Sequence, residues 1–116
     1  MTSVADMKYR VEITPSAEAD IDNAYLYIHG DSPQNAVRWR QGLYQVAEDL
    51  SLFPEGYGYA LENERLDFEV RQKLYGNYRI LYRIEGDRVI VLNVRHAARL
   101  PLSGDEVIRP DATDDG

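Results

Sequence analysis

Hydrophobic and polar residues follow two different periods along this chain, and each period predicts a type of element. Residues 9–13 alternate between apolar and polar side chains, which predicts a first strand over Tyr9 to Ile13. The dipeptides Thr14-Pro15 and Ser32-Pro33 then predict two helix starts. Ser and Thr side chains cap a first turn, and Pro fits the first helical position because no N–H is needed there.

Two apolar stripes with helical spacing follow these starts and predict a pair of amphipathic helices. The first helix should end near Gly30, a typical C-terminal stop, and the second before Pro54. Because only about three residues join them, we expect a helical hairpin that buries both stripes together or on a sheet. The first stripe comprises Ala17, Ile21, Ala24, Tyr25 and Ile28, and the second comprises Ala36, Trp39, Leu43, Val46, Ala47, Leu50 and Phe53. The acidic residues Glu18, Asp20, Asp22, Glu48 and Asp49 lie off these stripes and are expected to face solvent.

From residue 69 to residue 102 the pattern changes to short strands joined by tight turns, which predicts a three-stranded antiparallel meander. Residues 55–67 contain two glycines and show no clear period, so we interpret them as a loop that leads into the meander. A two-residue turn at Gly86-Asp87 would place Tyr82 opposite Val91 and Ile80 opposite Asn93.

The connection at Gly76-Asn77 decides which side chains of the preceding strand face the core. A two-residue turn there would direct Arg71 and Lys73 into the core, which is costly for charged groups. We therefore predict a three-residue connection or a bulge, which turns Phe68, Val70 and Gln72 inward. In that register the opposite, open face of the sheet carries Arg71, Lys73, Arg79, Arg83 and, by parity along the last strand, His96, with Arg99 just past the strand end.

Together these elements predict an α+β fold, in which an N-terminal strand and an antiparallel helical hairpin precede a three-stranded antiparallel meander that forms a small sheet packed against the helices. At 116 residues the chain suffices for one domain, which we place at residues 1–102. The acidic stretch 103–116 is poor in apolar residues and is predicted to be a disordered tail. No run approaches the roughly 18 apolar residues of a membrane span, and no apolar signal core opens the chain, so we predict a soluble cytoplasmic protein.

Charge is distributed unevenly along the sequence, although the net charge is −7. Residues 65–100 carry eight Lys/Arg against four Asp/Glu, whereas residues 1–64 carry four against eleven. A basic sheet on an acidic body indicates a surface for an anionic partner; the alternative is that the arginines simply coat an exposed sheet face. With no cysteine and two histidines, neither a thiol nucleophile nor a zinc site is expected, and we predict no metal and no cofactor.

The sheet cations and His96 suggest one kind of chemistry. Phosphodiester cleavage without a metal needs a proton acceptor, a proton donor and cations that stabilise the charged transition state. Histidine is the side chain best suited to proton transfer near neutral pH, and the neighbouring arginines and lysine would supply the positive charge. The sequence contains no phosphate-binding loop, nucleophile elbow or zinc-protease motif.

The order of elements and four segments resemble the RelE/ParE superfamily of bacterial toxins from type II toxin–antitoxin systems. The segments are TPSAEADIDNAYLYI in the first helix, LSLFPEGYG at the end of the second, GNYRILYRIEGDRVIVL in the meander and VRHAARLP after it. The resemblance covers about residues 9–101 and implies a growth inhibitor whose fold agrees with the predicted one. It also implies a cognate antitoxin as partner, in a toxin–antitoxin hetero-oligomer.

One branch of this superfamily, the RelE-like toxins, consists of endonucleases that cut mRNA on the translating ribosome. Arg79 matches the arginine of this branch's G-x-Y-R-type strand, and Arg99 matches the arginine that closes its last strand. His96 is the candidate substitute for a later tyrosine that this sequence lacks. If the chain is RelE-like, these three are the catalytic residues. The lysine pair of the branch falls near Val70 and Gln72, and is not preserved in register.

The ParE-like branch poisons DNA gyrase and needs no nuclease centre. The alanine-rich acidic first helix, the long hairpin and the YRILYRI strand favour this branch, and a pI near 4.7 is unfavourable for docking on ribosomal RNA. We therefore favour a gyrase poison, with a ribosome-dependent nuclease and an inactive antitoxin-binding protein as alternatives. In each case the candidate residues that bind substrate or antitoxin carboxylates are Arg71, Lys73, Arg79, Arg83 and Arg95.

Overall fold

The structure, a computed structural model, describes residues 8–102, in which two helices pack against a four-stranded sheet. Strand β1 (Arg10–Ile13) is followed by helices α1 (Pro15–Asp31) and α2 (Pro33–Asp49), and then by strands β2 (Arg71–Tyr75), β3 (Tyr78–Glu85) and β4 (Arg88–His96). Two short 3-10 helices, Pro54–Gly56 and Leu61–Arg65, occupy part of the segment predicted as a loop. The predicted tail at 103–116 lies outside the described residues.

Both predicted helix starts are confirmed. The Thr14 hydroxyl accepts a hydrogen bond from the Ala17 amide (3.1 Å), and the Ser32 hydroxyl accepts one from the Asn35 amide (3.2 Å). Ser32 also ends α1, because its own amide donates to the Ile28 carbonyl oxygen at 2.9 Å. A single residue therefore separates the two helices, which pack against each other as the predicted hairpin.

One core lies between the helices and the sheet. It combines the predicted stripes with one side of β3 and β4 and comprises Ala17, Ile21, Leu43, Leu50, Ile80, Tyr82, Val89, Val91 and Val94. Phe53, which we predicted in the second stripe, is 79% exposed, so that part of the prediction is wrong. The reason is that α2 ends at Asp49, and the chain leaves the helical path before Phe53 reaches the core.

The strand order of the sheet is β1-β4-β3-β2, so the first strand lies beside the last. β1 runs parallel to β4, with Arg10 opposite Arg88 and Ile13 opposite Val91. The remaining pairs are antiparallel, which confirms the predicted meander and the α+β class. Within residues 8–102, no helix has the length and apolar character needed to cross a membrane.

Both meander turns contain two residues, with a glycine of positive φ in the first position. The turn at Gly86-Asp87 is as predicted (Gly86 φ 61°), but the connection at Gly76-Asn77 also has only two residues (Gly76 φ 55°). The predicted three-residue connection is therefore wrong, and Arg71 and Lys73 lie on the helix-side face. Their burial penalty is avoided because β2 is an edge strand, where both side chains remain partly exposed.

A β-bulge interrupts the pairing of β3 with β4. Tyr82 lies opposite Val91 as predicted, but Ile80 lies opposite Val94 instead of Asn93. Between these two pairs β4 holds one residue more than β3, so the predicted register is wrong beyond this point. A bulge of this kind also increases the local twist of the strand that contains it.

The bulge reverses the parity of β4, so the last residues of the strand face the other way from the prediction. His96 lies opposite Tyr78, and therefore on the helix-side face instead of the opposite one. Helix α1 holds this register, because the Asp20 carboxylate accepts a hydrogen bond from the Val94 amide at 2.9 Å.

The face of the sheet opposite the helices is covered, not open. The segment between α2 and β2 packs on it together with Leu102 and forms a second core of Ala60, Val70, Leu81, Ile90, Leu92 and Leu102. Phe68 and Val70, which we predicted to face the helices, belong to this second core. The expectation of an exposed basic sheet face is therefore wrong.

Candidate functional site

A pocket of about 750 Å³ opens between α1 and the ends of β3 and β4, and we call it the α1–β4 pocket. Helix α1 lines it with residues at spacings of three and four, which lie along one side of a helix. Its volume falls in the range of about 300–1,000 Å³ that is typical of ligand sites in proteins. The lining residues are Ser16, Asp20, Asn23, Ala24, Tyr27, Tyr78, Asn93, Val94, Arg95, His96, Arg99 and Leu102.

Asp20 is the acidic group of the α1–β4 pocket. Burial raises the pKa of Asp20, and the Val94 amide, the Asn93 side chain and the charges of Arg95 and Arg99 offset part of that increase. The sequence led us to expect a solvated carboxylate on a helix face, and for Asp20 this is wrong. β1 ends opposite Val91, and beyond this point the Asp20 carboxylate, in place of a strand, accepts the hydrogen bond from the Val94 amide of β4. Asp20 therefore contributes to both the sheet and the pocket.

His96 is held in place by a ring and by a backbone amide. Its ring meets the Tyr78 ring edge-on, with 5.0 Å between the centroids, and Tyr78 in turn lies 5.0 Å from the Trp39 ring. The Ala98 amide donates to His96 Nδ1 at 3.0 Å. A neutral imidazole that accepts at Nδ1 carries its proton on Nε2, so the second nitrogen is a hydrogen-bond donor.

Residues 97–102, which we call the strap, carry Arg99 to the pocket and then pass to the other face of the sheet. The Ala97 amide donates to the Asn77 carbonyl oxygen at 2.7 Å, where the strap leaves β4. Further along, Arg95 Nε donates to the Leu100 carbonyl oxygen at 2.7 Å. These bonds fold the strap back against the sheet, so Arg99 lies beside Arg95 and His96 at the pocket.

Arg79 does not reach the pocket but forms a buried ion pair on the opposite face. Its two terminal nitrogens donate to the two carboxylate oxygens of Glu62 at 2.9 and 2.8 Å, and the Gln72 side-chain oxygen accepts another bond at 3.0 Å. Arg79 is 2% exposed and Glu62 is fully buried. Burial raises the pKa of Glu62, but hydrogen bonds from Arg79 and from the Leu102 amide outweigh it, so the pKa lies below its ordinary value.

The other candidate cations lie away from the pocket. Arg71 donates to the Tyr57 carbonyl oxygen at 2.6 Å, and the Lys73 ammonium lies 4.5 Å from the centre of the Tyr57 ring. Both belong to the edge of the helix-side face. Arg83 lies on the opposite face, with its guanidinium 4.8 Å from the centre of the Phe68 ring. All three cations are therefore engaged by aromatic or backbone groups of their own chain.

Of the residues predicted from the sequence, the α1–β4 pocket brings together Arg95, His96 and Arg99. Sequence reasoning missed Asp20 and Tyr27, although the spacing of polar and aromatic residues along α1 was the available signal. It also missed Glu62, which lies in a segment without a period and gave no signal.

Comparison with known proteins identifies the family. The model of the ParE toxin of type II toxin–antitoxin systems (parDE) matches residues 11–101. A chain of the chromosomal ParDE system from P. aeruginosa is 20% identical, with a TM-score of 0.65, and the match covers 78% of this chain and 97% of that chain. A chain of the RelBE2 toxin–antitoxin complex from Mycobacterium tuberculosis is 28% identical, with a TM-score of 0.53, over 80% of this chain and 95% of that chain. No curated protein sequence gives a significant match.

The family match covers most of the chain, and both structural neighbours share the arrangement of a strand, two helices and three further strands. This chain therefore belongs to the ParE toxin family and is a toxin of a type II toxin–antitoxin system.

Proposed function

We propose that this toxin inhibits DNA gyrase, as expected for the ParE-like branch, and that a cognate antitoxin neutralises it in a hetero-oligomer. One observation favours this function over the nuclease: Arg79, the candidate catalytic arginine, forms a buried bidentate ion pair with Glu62. To reach a phosphate, Arg79 would have to leave Glu62 unpaired, and breaking a buried pair costs about 3–5 kcal/mol.

His96 also supports a binding mechanism more than a catalytic one. A general base has to present a lone pair to the proton that it removes. While the Ala98 amide occupies Nδ1 of His96, the neutral ring offers an N–H at Nε2 and no free lone pair. Inhibition of gyrase by binding requires neither group to react, so it is compatible with both arrangements.

The rim of the α1–β4 pocket has the composition of a protein interface. Tyr27, which lines the pocket with Arg95 and Arg99, is 77% exposed, and Leu100, the next residue after Arg99, is 81% exposed. Aromatic residues and arginine are the types that contribute most to binding energy in protein interfaces. A partner segment that carries both apolar and acidic side chains fits this rim, and we propose that the antitoxin supplies such a segment.

The test is a supercoiling assay with purified DNA gyrase and a matched pair of variants. Arg99→Gln removes a cation at the pocket, whereas Arg83→Gln removes one from the covered face and leaves the net charge identical. We expect the wild type and Arg83→Gln to inhibit supercoiling, and Arg99→Gln to need at least tenfold more protein for half inhibition. Normal supercoiling in the presence of excess wild-type toxin would refute the proposal.

A second candidate function, the ribosome-dependent mRNA endonuclease, is favoured by the grouping of Arg95, His96 and Arg99 in one pocket. Mapping mRNA 5′ ends after brief induction in bacteria separates the two. New ends phased to codons would establish the nuclease, and growth arrest without new ends would exclude it. If overexpression is harmless while the antitoxin binds tightly, the third alternative, an inactive binding protein, would replace both.

A further inference from the structure

The strap connects the α1–β4 pocket, which Arg99 and Leu102 both line, with the second core, to which Leu102 also belongs. Arg99 lies at the pocket, and three residues later the Leu102 side chain is 7% exposed within the second core. The Arg99 amide donates to the His96 carbonyl oxygen at 3.0 Å, so the turn that carries Arg99 is tied to the end of β4. Arg95 holds the strap again at the Leu100 carbonyl oxygen, and the end of the strap beyond this bond is held at Leu102.

Leu102 is fixed by the buried carboxylate of Glu62. The Leu102 amide donates to Glu62 Oε2 at 2.8 Å, and the same carboxylate accepts hydrogen bonds from both terminal nitrogens of Arg79. Gln72 holds the guanidinium from a third side at 3.0 Å. Since these groups are buried, water cannot replace a bond that is lost, and the carboxylate has one well-defined orientation.

Stability alone does not explain why an ion pair occupies this place. Replacing a buried pair by apolar side chains of similar size is often neutral or stabilising. An apolar pair would fill the second core equally well, but it would offer no acceptor to the Leu102 amide. Compared with an apolar side chain of similar size, the Glu62 carboxylate adds an oxygen that accepts the hydrogen bond of the Leu102 amide.

We propose that Glu62, oriented by Arg79, is a positioning residue that anchors the strap and thereby holds Arg99 at the rim of the pocket. Arg79, which the resemblance to RelE-like toxins matches to a catalytic arginine, then acts from the opposite face without touching a partner. The anchoring itself is independent of what binds at the pocket; its effect on inhibition rests on the proposed action on gyrase.

Two double variants that differ in one group test the anchor. Arg79→Met with Glu62→Gln removes the ion pair but keeps a side-chain oxygen for the Leu102 amide. Arg79→Met with Glu62→Met removes that oxygen as well and has nearly the same volume. Hydrogen exchange by NMR is measured for the Leu102 and Arg99 amides, with amides of α2 as the internal reference and thermal unfolding as the check of folding.

We call Arg79→Met with Glu62→Met the Met/Met variant, and Arg79→Met with Glu62→Gln the Met/Gln variant. We expect both amides to exchange roughly five- to tenfold faster in the Met/Met variant than in the Met/Gln variant, the ratio that corresponds to one hydrogen bond. Equal exchange in the two variants overturns the anchor. Faster exchange at Leu102 alone overturns the positioning of Arg99. If the Met/Met variant fails to fold, Leu102→Ala loosens the same end of the strap, and unchanged exchange at Arg99 would again refute the proposal.

Gyrase inhibition is then compared for the same two variants. If Arg99 acts as proposed, the Met/Met variant should be at least fivefold less potent than the Met/Gln variant. If even the wild type leaves gyrase active, the proposed target is wrong, while the exchange rates still decide whether Glu62 anchors the strap.

Discussion

Gly42 lies in the middle of α2, where glycine costs about 1 kcal/mol relative to alanine, and the structure shows why an alanine would be worse. A Cβ at this position would lie 2.1 Å from the Tyr75 hydroxyl oxygen and 2.9 Å from Cζ of the same ring. Tyr75 approaches this closely because its hydroxyl donates to the Trp39 carbonyl oxygen at 3.1 Å. The missing side chain therefore lets an edge strand bond to the helix above it.

The expected effect of Gly42→Ala is the difference between two opposing contributions. The gain in helix propensity is about 1 kcal/mol. Against it, the tyrosine must move by more than an ångström, which loses a hydrogen bond worth about 1 kcal/mol. Displacing its ring from the Trp39 ring adds about 1–3 kcal/mol of packing strain. We therefore expect a net destabilisation of about 1–3 kcal/mol.

Urea unfolding at 25 °C, followed by the fluorescence of Trp39, the single tryptophan, measures this effect. With a typical dependence of about 2 kcal/mol per molar, the midpoint should fall by roughly 0.5–1.5 M. Gly30→Ala is the matched control, because within residues 8–102 no atom other than those of the chain neighbours and the local helix backbone lies within 4 Å of the added Cβ. It should be stabilising by about 0.5 kcal/mol. In a Tyr75→Phe background Gly42→Ala should cost about 1 kcal/mol less. If Gly42→Ala is as stable as the wild type, the close contact does not have the proposed energetic role.

Three further predictions concern the polar contacts that hold the helices and the second core. The pKa of Glu62 lies below its ordinary value, so the ionised carboxylate stabilises the fold above about pH 4.3, and this stabilisation is lost as the pH falls through the pKa of the folded state. In urea unfolding between pH 7 and pH 3, the free energy of unfolding should therefore fall more steeply for the wild type than for Arg79→Met with Glu62→Gln. Burial raises the pKa of Asp20, so its charged form opposes folding. Asp20→Asn keeps an acceptor for the Val94 amide, and its stability relative to the wild type should rise between pH 4 and pH 7. Asp20→Leu removes that acceptor and should lose about 1–3 kcal/mol at either pH. Thr14→Val should lose about 1–2 kcal/mol in the same assay, and Thr14→Ser should lose little, because the Thr14 hydroxyl both caps α1 and donates to the Leu92 carbonyl oxygen.

The helices were predictable because their signals are local. Thr14 and Ser32 each act on an amide three residues ahead, and the proline that follows each of them only has to fit its own turn. The hairpin turn at Gly86 is local in the same sense. Such elements depend on neighbours in the sequence, so the sequence pattern contains what is needed to place them.

The register of β4 was not predictable, because a distant helix sets it. Nothing in the strand's own sequence marks the bulge. The Thr14 hydroxyl, at the start of α1, donates to the Leu92 carbonyl oxygen, and the Asp20 carboxylate on α1 accepts from the Val94 amide, so both bonds hold the bulged register. One inserted residue changed the face on which His96 lies. The predicted grouping of His96 with Arg79 and Arg83 on one face failed for this reason.

The faces of β2 were misjudged for a related reason. We assumed that helices cover the whole of one sheet face, and an inward Arg71 then seemed too costly. At an edge strand the guanidinium instead reaches backbone oxygens of the neighbouring loop. The partner of Arg79 was equally hidden, since Glu62 is one of many acidic residues in the sequence and only the folded chain shows that it is buried.

The parallel pairing of β1 with β4 has a consequence for when the toxin becomes active. During synthesis, residue 10 has to wait until its partner residue 88 has been made, which takes roughly 4–16 s at 5–20 residues per second. Until then neither the sheet nor the α1–β4 pocket is complete, because β4 supplies one wall of it. A ribosome that stops before the last strand therefore releases a chain without the completed sheet and without one wall of the pocket. We therefore expect inhibition to begin only after β4 has been made, so those seconds are available for an antitoxin to be made first.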